Sequence, residues 1–153
     1  MYKTLMQDCN SLEGQYLSDE ALDALKGYLS DYPKRRKTYE ILMKASEQLI
    51  AATLQQLEKT DYQTIQVHRN ICIRDMTEVL RLIARAILLG DDDGFYDFLL
   101  WMQNMMRAVH KEEQSARAYS IMQSIVQAKF PPEEGTLIRG YLNRVVEMLQ
   151  SPT

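Results

Sequence analysis

Apolar residues recur along this chain three and four positions apart over nearly its whole length, the spacing of one face of an α-helix. The pattern is clearest in 66–91, where Met76, Val79, Leu80, Ile83 and Ile87 form one stripe. Gly90 is placed to serve as C′ of that helix, with Asp91 to Asp93 opening the turn that follows. Upstream, Leu42, Ala45, Leu49 and Leu57, widened by Ile50 and Leu54, predict a long helix from about Lys34 to Glu58, and 59–65 reads as a connection. Downstream, Phe95, Phe98, Leu99, Met102, Met105 and Met106 predict a helix capped by Asp93, with His110 and Lys111 near its end. Ala116, Tyr119, Ile121, Met122 and Ile125 predict another over 113–128, which Pro131 and Pro132 end. Pro132 starts the last helix, through Ile138, Leu142, Val145 and Met148.

At the N-terminal side, 1–12 predicts a short helix, and Ser18 is a good N-cap for a helix to about Leu29. Ser30-Asp31-Tyr32-Pro33 is expected to break it, since the residue before proline avoids the helical region. With few glycines and prolines and little β-type alternation, the fold class is all-α. The pattern predicts seven or eight helices of unequal length, packed in a globin-like way or as an irregular bundle.

At 153 residues the chain can form one domain with a proper core, and its 25% charged and 46% hydrophobic residues are those of an ordinary globular protein. A net charge of −3 supplies no global basic field for nucleic acid, so no nucleic-acid partner is expected. The basic run Lys34-Arg35-Arg36-Lys37 reads as a solvated helix end. Two distant cysteines, Cys9 and Cys72, form no disulfide framework and suit a reducing compartment. Met1 to Asp8 lacks a secretory apolar region, and no apolar run reaches spanning length, so a cytoplasmic protein without membrane insertion is expected.

The chemistry concentrates on the 66–91 helix. His68, Cys72 and Asp75 share a strip, with Arg69 beside it. A thiol there can add to an unsaturated carbon, and nearby Arg69, His68 or Arg74 would favour its thiolate. Asp75, one turn away, can accept hydrogen bonds from two ring N–H groups, and arginines can pair with carboxylates. By spacing alone, Cys72 reads better as a small buried hydrophobe. His68 and Cys72 also stand four apart, as metal ligands do, but two His and two Cys are too few for an ordinary zinc site. Asp91-Asp92-Asp93-Gly94 lacks the spaced ligands of a calcium loop and reads as a turn. Trp101, Met102, Met105 and Met106 read as core, or as a wall for a flat ligand. No glycine-rich phosphate loop, nucleophile elbow or zincin motif is present, and nothing proposes an enzyme.

Cys72-Ile73-Arg74-Asp75, then Leu80-Arg81, then Leu88-Leu89-Gly90-Asp91, resembles the chromophore helix of the phycobiliproteins, as in allophycocyanin and phycocyanin subunits. Gly14-Gln15-Tyr16-Leu17-Ser18, followed by Leu22-Asp23-Ala24-Leu25, is similar to the family's N-terminal segment. Lys34-Arg35-Arg36 falls where the family carries Lys-Arg at the head of its long helix, and Ala116–Met122 and Gly140–Met148 resemble its last helices more loosely. The resemblance implies a globin-like domain over 33–150, preceded by two extra N-terminal helices within 1–31, in a single 1–153 unit. It implies an open-chain tetrapyrrole of the phycocyanobilin type, held by a thioether to Cys72, with Asp75 on the pyrrole N–H groups and Arg74 on a propionate. By helix angle Arg74 points away from Cys72 and would have to curl back. His68 and Arg69 match the family's basic neighbourhood, and Trp101 is a candidate wall. Another phycobiliprotein-like subunit or a second copy would pair through the N-terminal helices, with Tyr16, Leu17 and Arg81 at the interface. The location implied is cytoplasmic, at the thylakoid surface through the phycobilisome.

The chain departs from the family in three places. The Gly-Gly-Asn type segment is missing between Tyr62 and His68, which predicts a more open pocket. The family's N-terminal aspartate and arginine fall near Ser11 and Glu13, and Glu78 stands at an aromatic or aliphatic position. These features describe a diverged paralogue. Two functions stay open: a bilin-binding subunit in light harvesting, energy transfer or light sensing, and a pigment-free module that binds phycobilisome components, a lyase or a regulator. A globin-like sensor of another small ligand is a third.

Overall fold

The computed structural model describes residues 2–12 and 14–152, and these form five helices and no strand. They are α1 (Tyr2–Asn10), α2 (Asp19–Leu89), α3 (Asp92–Ala108), α4 (Glu112–Lys129) and α5 (Pro132–Gln150). Ser18 caps α2 as its sequence suggests, its hydroxyl accepting from the Ala21 N–H at 3.2 Å.

Helix α2 is bent back on itself. Its backbone leaves helical geometry at Asp61 (φ −128°, ψ 42°) and at His68 (φ −113°, ψ 16°). Between these points the chain reverses, so 19–60 and 69–89 run antiparallel as two arms. Contacts at both ends of the arms show the pairing. Near the reversal Arg69 pairs with Glu58. At the far end the Tyr28 hydroxyl donates to the Leu89 carbonyl at 2.7 Å, and Arg35 Nη1 donates to the Leu88 carbonyl at 2.7 Å. The predicted connection at 59–65 is therefore present as a reversal over 61–68, without an extended loop.

Two expectations fail. Pro33 does not end a helix but lies inside α2. Its fixed φ suits a helix, and only one N–H is lost. Pro33 and Leu29 are both exposed, so water can take the carbonyl left without a donor. The number of continuous helices is accordingly smaller than the pattern suggests. Asp91, rather than Asp93, caps α3, its Oδ1 accepting from the Gly94 N–H at 3.0 Å. Gly90 has φ +66°, the left-handed geometry that C′ requires, and its N–H reaches the Ala86 carbonyl.

The core lies where the second arm meets the other helices. Leu54, Leu80, Ile83, Met122, Ile138 and Leu142 are fully enclosed. Helices α4 and α5 form an antiparallel pair around the Pro131-Pro132 turn, tied by Gln123 Nε2 to the Arg139 carbonyl at 3.3 Å. Helix α3 is fastened to α5 at both ends. Tyr141 donates to Asp92 at 2.7 Å, its ring meets Phe95 edge-on at 5.1 Å, and Gln103 donates to the Met148 carbonyl at 2.6 Å.

The basic run lies inside α2 and not at a helix end; Lys34, Arg36 and Lys37 are exposed as expected, and Arg35 is not. Arg35 lies over the Tyr28 ring at 3.9 Å and donates from Nη2 to the Tyr28 carbonyl at 2.6 Å. Arg36 pairs with Glu40, and Lys37 reaches the buried Glu134 at 2.8 Å. Hydrogen bonding to Lys37, and then to a backbone N–H, holds the Glu134 carboxyl below its ordinary value, with burial opposing.

Two measurements test these ties. Arg35→Ala leaves the partly buried Leu88 carbonyl at the helix end without its donor and is expected to cost about 1–3 kcal/mol, read as a lower denaturant midpoint. Glu134 has a folded pKa below its unfolded one, so its contribution is complete above the unfolded value and is lost as pH falls through the folded one. As pH falls through the folded value, the stability gap between the protein and Glu134→Gln should therefore close, measured by urea titration at successive pH values.

Candidate functional site

The reversal of α2 leaves a cleft of about 540 Å³ between itself and the α3–α4 corner. That size lies within the range of small-molecule sites, about 300–1,000 Å³. One wall comes from the reversal and the second arm, with Ile65, His68, Cys72, Arg74 and Asp75. The opposite wall comes from the end of α3 and the start of α4, with Met105, Met106, Val109, Lys111 and Tyr119. Most of this surface is apolar.

Helical spacing brings Cys72 and Asp75 onto the same wall. Cys72 is a free thiol, half-buried, with its other side against the core. Asp75 is also half-buried. Its Oδ1 accepts from Arg74 Nε at 3.2 Å and Nη2 at 3.1 Å. Arg74 thus does curl back from its outward helix angle, and it too lines the cleft. Asp75 Oδ2 accepts no hydrogen bond among the described residues. His68 reaches the cleft because the backbone leaves helical geometry at that residue, and it is exposed.

Two of the predicted residues are elsewhere. Arg69 turns to Glu58 and lines a different, more charged cleft of about 670 Å³ between the two arms, with Lys44, Glu47 and Arg81. Trp101 is 59% exposed on the outer face of α3, against Phe98 at 5.9 Å. The wall expected of it is supplied by Met105 and Met106, one turn further on. Lys111 and Tyr119 were not singled out as site residues, because periodicity assigns them to a helix end and a core stripe. The available signal was Tyr119 itself, a phenol among aliphatic neighbours. It is buried, and burial first, then the Asp75 charge, pushes its phenol well above the ordinary value.

The electrostatics of the thiol also differ from expectation. Burial first, then the negative Asp75, raise the Cys72 pKa, while Lys111 opposes them. Arg69 is committed to Glu58 and Arg74 to Asp75, so neither arginine activates the sulfur. Among the described residues no group of three or more His, Cys, Asp or Glu side chains is placed to hold a metal ion.

The surfaces named for subunit pairing lie apart from this cleft. Tyr16 is fully exposed and Leu17 partly so, in the segment leading into α2. Arg81 donates to Glu78 at 2.8 Å within its own helix, so a partner's carboxylate would have to displace Glu78. Ser11 caps the end of α1 through the Asp8 carbonyl, and Glu13 lies outside the described residues.

The raised thiol pKa has a direct readout. In a Cys9→Ser background, Cys72 is expected to alkylate with iodoacetamide more slowly at neutral pH than an unhindered cysteine. Asp75→Asn removes a charge that opposes the thiolate and should speed the reaction.

No helix among the described residues is long and apolar enough to cross a membrane. A comparison with curated proteins found no match. The model of one protein family, described as phycobilisome protein, matches residues 9–149. The all-helical architecture agrees with the globin-like phycobiliprotein fold. With a match over nearly its whole length, the chain belongs to the phycobilisome protein family.

Proposed function

We propose that this chain carries an open-chain tetrapyrrole in the Cys72 cleft and serves light harvesting or energy transfer in or around the phycobilisome. The supporting observation is that a thiol and a carboxylate, one helical turn apart, open together into an apolar space of small-molecule size. The donor set fits the group. Cys72 offers a sulfur for a covalent tether, Asp75 offers an acceptor to pyrrole N–H groups, and the thioether and aliphatic walls suit a flat conjugated body. When bound, such a group supplies the conjugated system that absorbs visible light.

The side chains divide the work. Cys72 forms the tether by adding S–H across a carbon–carbon double bond. Sulfur bonds one carbon, the proton passes to the other, and no oxidant is needed. The raised thiol pKa leaves little thiolate at neutral pH, so the addition needs a base to take the thiol proton. Arg74 holds Asp75 through Oδ1, and Oδ2 would be the oxygen that accepts from pyrrole N–H groups and holds one shape of the pigment. Arg74 is also within reach of a propionate at the rim. Tyr119 adds a phenolic hydroxyl to the inner wall. His68 stands at the exposed edge, while Arg69 and Trp101 have no direct part.

The proposal extends to assembly. Tyr16, Leu22, Leu29 and Tyr32 expose apolar surface along the N-terminal segment and the start of α2. This strip suits pairing with another phycobiliprotein-like subunit or a second copy of the chain.

Expression with a bilin supply and a matching lyase tests the reading. Colour should survive acid denaturation and should be absent from Cys72→Ala. Asp75→Asn should keep the covalent bond but shift or broaden the visible band. A protein that stays colourless would favour the pigment-free interaction module.

A further inference from the structure

Of the charged groups lining the cleft, Lys111 is the one left without an opposite charge among the described residues. Asp75 is matched by Arg74, and Asp61 by Arg117 at 2.9 Å. Lys111 is half-buried, and its Nζ meets only the neutral Gln114 Oε1, at 3.2 Å. It forms no ion pair among the described residues.

The fold does not account for a lysine here. Lys111 occupies the N-cap of α4 and makes no side-chain capping bond. Ser, Thr, Asp or Asn would satisfy a free N–H at that position, and a cation is disfavoured at the positive end of a helix. Nor does the ammonium serve the end of α3. The backbone N–H of Lys111 reaches the Met106 carbonyl at 2.9 Å, while its side chain turns to Gln114 in α4. Its charge is felt across the cleft by the Cys72 sulfur.

We infer that Lys111 anchors a carboxylate of the ligand that fills the Cys72 cleft, an inference that rests on reading the cleft as a ligand site. The ligand class follows from the walls. It is a long, mostly apolar and unsaturated molecule, with an acidic arm that reaches the α3–α4 corner. An open-chain tetrapyrrole bearing propionates has this chemistry. A long-chain fatty acid shares the acid and the apolar body but lacks the ring N–H groups that Asp75 would accept.

Reversible binding to the Cys72→Ser protein tests the anchor. Biliverdin, its dimethyl ester and palmitate serve as probes; the pigments are read by quenching of Trp101, the one tryptophan, and palmitate by calorimetry. Biliverdin should bind about ten- to a hundredfold more tightly than its diester, the range of a charge-assisted hydrogen bond. The difference should collapse in Lys111→Gln and return in Lys111→Arg, with helix content by circular dichroism unchanged.

Equal affinity for acid and diester, or a preference that survives Lys111→Gln, overturns the anchor and leaves the pigment cleft standing. Palmitate binding that depends on Lys111, with no binding of biliverdin, keeps the anchor and overturns the tetrapyrrole. Absence of binding by all three probes overturns both readings.

Discussion

The architecture depends on two backbone carbonyls, those of Leu88 and Leu89, at the end of the long folded helix. A helix leaves its last carbonyls without internal donors, and a partly buried end needs them satisfied. Arg35 and Tyr28 meet this need from 53 and 61 residues upstream, and Gly90 turns the chain away by its positive φ. The same contacts fasten the arms of α2 together far from their reversal. Because the arms are closed at that end, the reversal at 61–68 is fixed in space, and the cleft beneath it has a defined shape. The enclosed core of Leu80, Ile83 and Leu54 lies between the two points.

Charge in the site is arranged in local pairs. Arg69 with Glu58, Arg74 with Asp75, and Arg117 with Asp61 each cancel near the reversal. The walls of the cleft are left largely apolar, the sulfur is not activated, and the lysine at the α3–α4 corner carries the unbalanced charge. On the proposed reading, such an arrangement suits receiving and orienting a molecule.

Much of this was legible in the sequence, and the parts that were not share a cause. The helical stripe of 66–91 and the glycine that ends it are local properties, readable from spacing and from one residue's freedom at positive φ. The placing of Cys72 and Asp75 on one strip is likewise local. Pro33 misled because proline's effect depends on whether the orphaned carbonyl can meet water, which is a matter of exposure. Arg35 looked like part of a solvated run because one of its partners, the Leu88 carbonyl, is more than fifty residues away. Trp101 and Met105 stand one turn apart on nearly the same face of α3, and the height along α3 at which the cleft lies decides which of them lines it. The expected activation of the thiol failed for a similar reason, since proximity in sequence does not say which carboxylate a cation has already engaged.

One wall of the cleft is the reversal of α2 and the other is the α3–α4 corner, where His110 holds φ +54°. An occupant tethered at Cys72 and touching Met106 and Tyr119 would bridge those parts as a staple does. Anything that binds the folded chain alone shifts the folding equilibrium toward it. A tethered occupant cannot be diluted away, so maturation by such a molecule would also be a one-way tightening of the scaffold.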